Sequence, residues 1–546
     1  MTRLAAYLRE DRARAAILVA FAVAQLALVG WDLPSSFSWE NDGVAPHDIP
    51  VGVAQNLIPG SSFRYPLFHL ALLAALCLPV LAPAALRARS FALDDLRAAV
   101  LTPATMTACS IVAKLVAVAM GVMAVAALGR IAERLFSRRA ALWAMFFAAT
   151  NVSVAYYGRT SNLDGPALFW TVLAIERLLD DRDGRGGPRD LAWAAAFAAA
   201  AVATKDQAYA SFLLVVPAAL LVRRRRGVAA AIGVGALVYA VLGGAALNPT
   251  GFAARVATLI GPASEDYRAY APSLAGRLAN LGDLAAAQGA MFWSWPVVAL
   301  AAAGIARSAR SLRACLPLLA GLGSVVGFAL VVGRCEHRFV LPFGFFLSIH
   351  AGRGAEALLR PRVLAAAAGA LAAAGPLALA LTQLGDARRA VEAWLDRLPR
   401  GAAVETYGSL VFLPRFPTDV LAVRRVGPDP PGERDPLPGM AEIVGSPADA
   451  PARAPDAIVL TEGFVEPYLR RSDGAGRILA RTAAAAQADV RTRDFVTRAI
   501  VGRVPGYRLA LVAGPSLPAW AAALGLRPAA IHQSTGQMVW VLARAR

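Results

Sequence analysis

The chain has 546 residues, 57% of them hydrophobic, and sets 55 Lys and Arg against 37 Asp and Glu for a formal net charge of +18. That apolar share exceeds the roughly 45–50% of an average soluble domain even with glycine left out of it, which excludes one ordinary soluble globule. Net positive charge suits nucleic acid, but a polytopic membrane protein with basic cytoplasmic loops reaches the same total, so the positions of the arginines decide.

In chain order, Arg3, Arg9, Arg12 and Arg14 precede the apolar run 15–31. Trp31-Asp32-Leu33-Pro34 follows where a signal peptide would carry a small-residue cleavage site, so the run reads as an uncleaved first span. Further stretches of a length near that needed to cross about 30 Å of hydrocarbon lie at 66–86, 111–129, 140–157, 166–179, 190–204, 207–222, 228–247, 291–306, 315–333, 338–351 and 363–382. Basic clusters occupy every second connection after residue 129: Arg130/Arg134/Arg138/Arg139, Arg182/Arg185/Arg189, Arg223 to Arg226, Arg307/Arg310/Arg313 and Arg353/Arg360/Arg362.

With the N-terminus inside, the positive-inside rule puts all five clusters in the cytoplasm if 66–86 does not cross. Pro79 and Pro83 there suit a re-entrant or interfacial helix. The remaining eleven spans place residues 383–546 outside, together with the loops 32–110, 158–165, 248–290 and 334–338. The expected architecture is a polytopic α-helical membrane domain, 1–382, with a long first outer loop, followed by an extracytoplasmic α/β lobe, 383–546, in the inner (plasma) membrane. Within the lobe, 386–398 has helical spacing, while 403–407, 457–460 and 538–542 read as strands and 427–456 as loops.

Charged residues at membrane level default to function, and four groups fall on the outer side. They are Glu40-Asn41-Asp42 with His47-Asp48, Arg159 to Asp164-Gly165-Pro166, Thr204-Lys205-Asp206, and Arg334 to Glu336-His337-Arg338. A carboxylate takes a proton from an attacking hydroxyl, and Arg and Lys stabilise a departing phosphate. The competing structural reading is ordinary snorkelling charge at span ends. Lysine occurs only at Lys114 and Lys205, and Lys205 sits at a short outer corner where a cation is least expected. Lys114 is a weaker case of the same kind.

Other chemistry is missing. Neither lysine follows a glycine, so there is no Walker A motif; G-x-S-x-G and HExxH do not occur, and the five histidines lack zinc-ligand spacing. Four scattered cysteines, Cys77, Cys109, Cys315 and Cys335, make neither a disulfide framework nor a CxxC pair. Gly352-Arg353-Gly354-Ala355-Glu356-Ala357 looks like a dinucleotide fingerprint but follows a membrane stretch, and it is read as chance.

These residues resemble the GT-C membrane glycosyltransferases, in particular the branch containing protein O-mannosyltransferases and the lipid A aminoarabinose transferase. The likeness covers most of residues 10–410. It rests on Glu40-Asn41-Asp42, Tyr65-Pro66-Leu67, Arg130 to Leu135 with Arg138-Arg139-Ala140-Ala141-Leu142, and Arg159 to Pro166, then Thr204-Lys205, Arg338-Phe339 with Pro342, and Asp386 to Trp394. The resemblance implies a polyprenyl-phosphate sugar as donor and inverting transfer to a hydroxyl of a glycan, lipid or protein. Asp42 or Glu40 becomes the base; Arg159, Asp164, Lys205 and Arg338 bind the donor phosphate or line the site, with His337 and Tyr65 nearby. An Asn separates Glu40 from Asp42, where many relatives have an adjacent Asp-Glu pair, so the choice of base stays open. A divalent metal would find oxygen ligands in Glu40, Asp42 and Asp48, and metal dependence stays open as well. No nucleic-acid partner is expected. The competing classes are a polytopic transporter or lipid flippase and a noncatalytic assembly partner. Against the transporter, the sequence has no internal repeat, and its outer charges cluster at one face.

Overall fold

A computed structural model describes residues 11–33, 44, 48–63, 65–90, 92–182, 188–221, 227–260, 270–286, 295–332, 338–428, 439–469, 489–529 and 535–545. The helices used below are α1 (Arg12–Leu26), α2 (Asp48–Leu57), α3 (Leu67–Leu86), α4 (Pro103–Leu135), α5 (Arg138–Ala149), α6 (Asp164–Arg182), α7 (Pro188–Thr204), α8 (Val228–Leu242), α9 (Leu341–Leu358), α10 (Arg362–Leu384) and α11 (Ala387–Leu395).

The longest helix, α4, starts where sequence rules place it. The Thr102 hydroxyl accepts from the Thr105 amide, and Pro103 fills the first helical position, where its missing N–H is no loss. Its middle is packed on all sides, with Val125, Ala127, Leu128, Ile131 and Ala132 buried among α1, α5 and α6. Small residues allow such close approach between helices. Gly352 and Gly354 on α9 do the same: a Cβ on Gly352 would strike the Ala140 carbonyl of α5, and one on Gly354 the Leu300 carbonyl. The fingerprint-like run is therefore a helix-packing surface.

Ionic groups collect at the two ends of this bundle. Lys114 and Arg134 are twenty residues apart on α4, about 30 Å at 1.5 Å per residue, close to the hydrocarbon thickness of a bilayer. At the Arg134 end, Arg130 bonds Glu176 (2.7 Å), Arg134 meets Asp180, Arg138 holds Asp11 (2.8 Å), and Arg353 pairs with Glu356 (2.6 Å). Three arginines of the first basic cluster and Arg353 of the last are thus paired with acids that the charge count alone did not assign to them. At the other end, Lys114 pairs with Asp32 and Lys205 with Asp164.

Among the described residues, three helices are long and apolar enough to cross a membrane: Leu67–Leu86, Pro103–Leu135 and Arg362–Leu395, the last combining α10 and α11. That is fewer than the eleven spans expected, and one of the three is the stretch 66–86 that was left out of the eleven. The stretch 140–157 is broken, because the Asn151 side chain accepts from the Val154 amide and starts a separate helix, Val152–Tyr157. The stretch 207–222 consists of a 3-10 turn, Asp206–Phe212, and a short helix, Val215–Leu221. Pro79 and Pro83, by contrast, sit inside an unbroken α3. The expectation that prolines keep this segment from crossing finds no support in its length or continuity.

The tail forms a six-stranded sheet of β1 (Ala403–Tyr407), β2 (Ala422–Gly427), β3 (Ala441–Val444), β4 (Ala457–Thr461), β5 (Tyr507–Ala513) and β6 (Val539–Arg544). The order is β3-β2-β1-β4-β6-β5, with the first four strands parallel and the last two joined antiparallel. The three strands expected from sequence are the buried centre, β1, β4 and β6. Of the others, β2 was missed because Arg424 and Arg425 interrupt its apolar pattern, Arg425 bonding across strands to Glu442 of β3 (2.8 Å), and β3 falls inside the stretch 427–456 expected as loops. The expected helix is present as α11, capped by the Asp386 side chain on the Arg388 amide (3.0 Å). The lobe docks at the Lys114 end of the bundle: the Ala529 amide bonds the Thr382 hydroxyl (2.9 Å), and the Arg415 guanidinium donates to the Leu33 carbonyl (2.7 Å).

Candidate active site

Helices α6 and α7 form an antiparallel hairpin, so the first residue of one lies beside the end of the other. The Asn162 side chain accepts from the Asp164 amide (2.8 Å) and fixes the turn into α6. Gly165 follows because a Cβ there would stand 2.8 Å from the Tyr157 carbonyl. At the end of α7 the chain leaves helical geometry at Lys205, whose backbone is extended before the 3-10 turn. The result is a Lys205 Nζ to Asp164 Oδ2 bond of 2.6 Å between side chains that are both buried.

Arg338 faces the same spot. Asp164, Lys205, Gln207, Ser211, Ser324 and Arg338 surround a cavity of about 20 Å³, room for about one water and no more. Ser211 and Ser324 share a hydrogen bond (3.2 Å). The Arg338 guanidinium lies 4.7 Å from the Phe339 ring, which stacks on Phe328. Three of the residues singled out from sequence are thus brought together, in a closed arrangement in which Asp164 already balances the lysine charge.

Arg159 is placed nearby but separately. It is 4% exposed, and its guanidinium donates to the neutral Gln383 side chain. Its Nε has no partner among the described residues, and burial pushes the group down to about 9. A desolvated cation with no carboxylate partner among the described residues is one that an anion would stabilise.

The first loop reaches this region at its described end. The Val44 amide donates to the Ser161 carbonyl (3.4 Å), and the Ser161 hydroxyl returns a bond to the Val44 carbonyl (3.1 Å). Val44 is two residues after Asp42 in the sequence, and Ser161 three before Asp164. Tyr65 packs in the cluster that contains Val44, Ile49 and Leu163, and its carbonyl accepts from Asn56 (3.0 Å). Asp48 opens α2. Glu40, Asp42, His47 and His337 lie outside the described residues. Among the described residues no three His, Cys, Asp or Glu gather as a metal site.

Sequence reasoning missed a second buried pair beside this corner. Arg255 bonds Asp206 (2.8 Å) and lies 5.4 Å from the Phe63 ring. Asn248, fully buried, accepts from the Gly60 amide (2.9 Å) and donates to the Ser61 carbonyl (2.8 Å), joining the 248–260 segment to the first loop. Asp206 adjoins Lys205 and was visible as a charge at the corner; Arg255 carried no signal in so arginine-rich a chain. An apolar cavity of about 540 Å³ runs between α6, α7 and α8, from Leu178 and Leu191 near the Arg134 end to Val202, Tyr209 and Tyr239 beside the Lys205–Asp206 corner.

No family model matches the chain, and no curated protein matches it. Among solved structures it is similar to ArnT from Cupriavidus metallidurans in the apo state, at 15% identity and a TM-score of 0.45, covering 83% of this chain and 93% of that one. It is similar to the oligosaccharyltransferase AglB of Archaeoglobus fulgidus, at 12% identity and a TM-score of 0.44, covering 98% and 89%. It is also similar to the arabinofuranosyltransferase AftD from Mycobacteria, at 14% identity and a TM-score of 0.42, covering 97% of this chain and 40% of that one. All three are GT-C glycosyltransferases. Likeness at these identities assigns no residue a role.

Proposed function

We propose that the chain is an inverting membrane glycosyltransferase of the GT-C type that takes a sugar from a polyprenyl-phosphate donor and passes it to an acceptor hydroxyl at the outer face. The observation that carries this reading is the meeting of Asp164, Lys205 and Arg338 at one end of the bundle. Arg159 and the end of the first loop lie close by, and the long apolar cavity ends at the same corner. That cavity suits an isoprenoid chain, and the cations suit its phosphate.

In the proposed reaction the first-loop carboxylate, Asp42 or Glu40, removes the acceptor proton as the hydroxyl oxygen bonds to the anomeric carbon. The bond from that carbon to the phosphate oxygen breaks with inversion. The leaving phosphate keeps the electron pair and is stabilised by Lys205, Arg338 and Arg159. His337 and Tyr65 are the further candidate site residues, and Glu40, Asp42 and Asp48 would supply oxygen ligands to a divalent metal. The closed cavity requires the donor phosphate to displace side chains on entry, with Asp164 holding Lys205 until it arrives.

The decisive experiment incubates the purified protein with a panel of polyprenyl-phosphate sugars and measures donor loss. Consumption of one donor, with release of polyprenyl phosphate and a product of opposite anomeric configuration, is expected. Inert donors, together with passage of intact lipid across proteoliposomes, would establish the flippase reading instead. Charges gathered at the ends of the bundle rather than at mid-membrane favour the enzyme.

The topology is part of the proposal: eleven crossings in the plasma membrane, the N-terminus inside, residues 1–382 as the catalytic membrane domain and 383–546 outside. A reporter fused after Arg546 is expected to show an extracytoplasmic signal. A cytoplasmic signal would overturn the eleven-span arrangement.

A further inference from the structure

Three consecutive residues at the root of the first outer loop are each held by a different part of the molecule. The Trp31 indole donates to Asp386 Oδ2 (3.1 Å), at the junction of α10 and α11. Asp32 pairs with Lys114 of α4, both side chains being 1% exposed, and the Lys114 ammonium also reaches the Val29 carbonyl (3.3 Å). The Leu33 carbonyl accepts from Arg415, whose other edge is gripped by Glu392 of α11 through two bonds (2.9 and 2.7 Å).

These grips interlock. Arg388, fully buried, brackets Asp386 with bonds of 3.0 and 2.6 Å, lies 5.7 Å from the Trp31 ring, and donates to the Val411 carbonyl (3.1 Å). Val411 and Arg415 both belong to the segment between β1 and β2, so the lobe itself supplies the contacts. Trp31 also meets Tyr156 edge-on at 6.3 Å, just before the Arg159 to Asp164 turn. Asp32 has φ of 78°, in the left-handed region that Asp tolerates better than most non-glycine residues.

We propose that Trp31-Asp32-Leu33 is a latch through which the outer lobe sets the position of the first loop, with Lys114, Arg388 and Arg415 as positioning residues. Leu33 anchors one side of the loop, and Val44, bonded to Ser161, anchors the other. Glu40 and Asp42 lie between these two anchors in the sequence. The inference rests on the proposed role of that loop as the carrier of the base; the latch itself is a matter of contacts.

The test uses Arg415→Ala and Arg415→Lys in the full-length protein. Arg415 sits on the lobe surface with a 31% exposed side chain, so its loss leaves the buried pairs in place. In the alanine variant, kcat is expected to fall about 10- to 100-fold, the scale of effect of a small misplacement of a reacting group, with the donor KM within about twofold. Lysine, which retains one donor for the Leu33 carbonyl, is expected to recover part of the loss. Amide hydrogen exchange is expected to speed up over 34–44 and to stay unchanged in β1 and β4. Unchanged exchange over 34–44 overturns the latch, and so does faster exchange throughout the sheet, which marks a merely structural arginine. If exchange rises locally but the wild-type protein consumes no sugar donor, the latch stands and the transferase reading falls.

Discussion

Replacing both first-loop carboxylates, Asp42→Asn with Glu40→Gln, is expected to abolish sugar transfer, and one of the single variants is expected to do so alone. General-base catalysis contributes about 10²–10⁴-fold, so the inactive single variant should fall by that factor with the donor KM little changed. The base acts on the acceptor and leaves the phosphate contacts intact. Insertion in the membrane and thermal stability are expected to match the wild type, which separates a lost base from a lost fold. The pair of single variants also resolves which carboxylate acts, a choice that the intervening Asn41 leaves open. Full activity in both single variants and in the double variant would remove the first loop from the mechanism. It would also favour an assembly role for the chain.

What could be read from the sequence was whatever a linear pattern carries. Asp164 and Lys205 stood out because each terminates an apolar run, and a helical hairpin brings the two ends together. The strands β4 and β6 were legible as nearly continuous apolar stretches, which is what burial inside a sheet demands, and β1 by its β-branched and aromatic residues around the buried Glu405. Pairings made only in three dimensions were not legible. Lys114 was noticed as an odd cation, but its partner Asp32 lies 82 residues away, and nothing local marks the two as a pair. Arg388 and Arg415 looked like two more arginines in a chain full of them, and their meaning comes from contacts with Asp386, Glu392 and the Leu33 carbonyl. Span ends failed for local reasons: Asn151 caps a new helix inside an apolar run, and α3 continues through two prolines that the rules for soluble helices treat as breaks. The basic clusters told the same story from the other side. Read alone they were topology signals, whereas Arg130, Arg134 and Arg138 also bind together α1, α4, α5 and α6.

The Lys205–Asp164 pair gives the second large effect, and here stability and catalysis must be separated. Lys205→Ala leaves a carboxylate buried without its partner, which costs about 3–5 kcal/mol, and it removes a cation from the departing phosphate, an interaction worth about 10²–10³-fold in turnover. Either loss alone would lower activity, so the single variant does not decide. The double substitution Asp164→Asn with Lys205→Met removes both charges and fills the space with uncharged side chains of similar size. Replacing a buried ion pair in this way is often neutral for stability. The double variant should therefore unfold near the wild-type temperature in detergent micelles while transferring sugar no faster than the lysine variant. Activity that returned together with stability would assign the pair to architecture and leave Arg159 and Arg338 as the phosphate ligands. Stability regained without activity would mean that Asp164 holds the lysine in readiness, its charge masked until a phosphate takes the carboxylate's place.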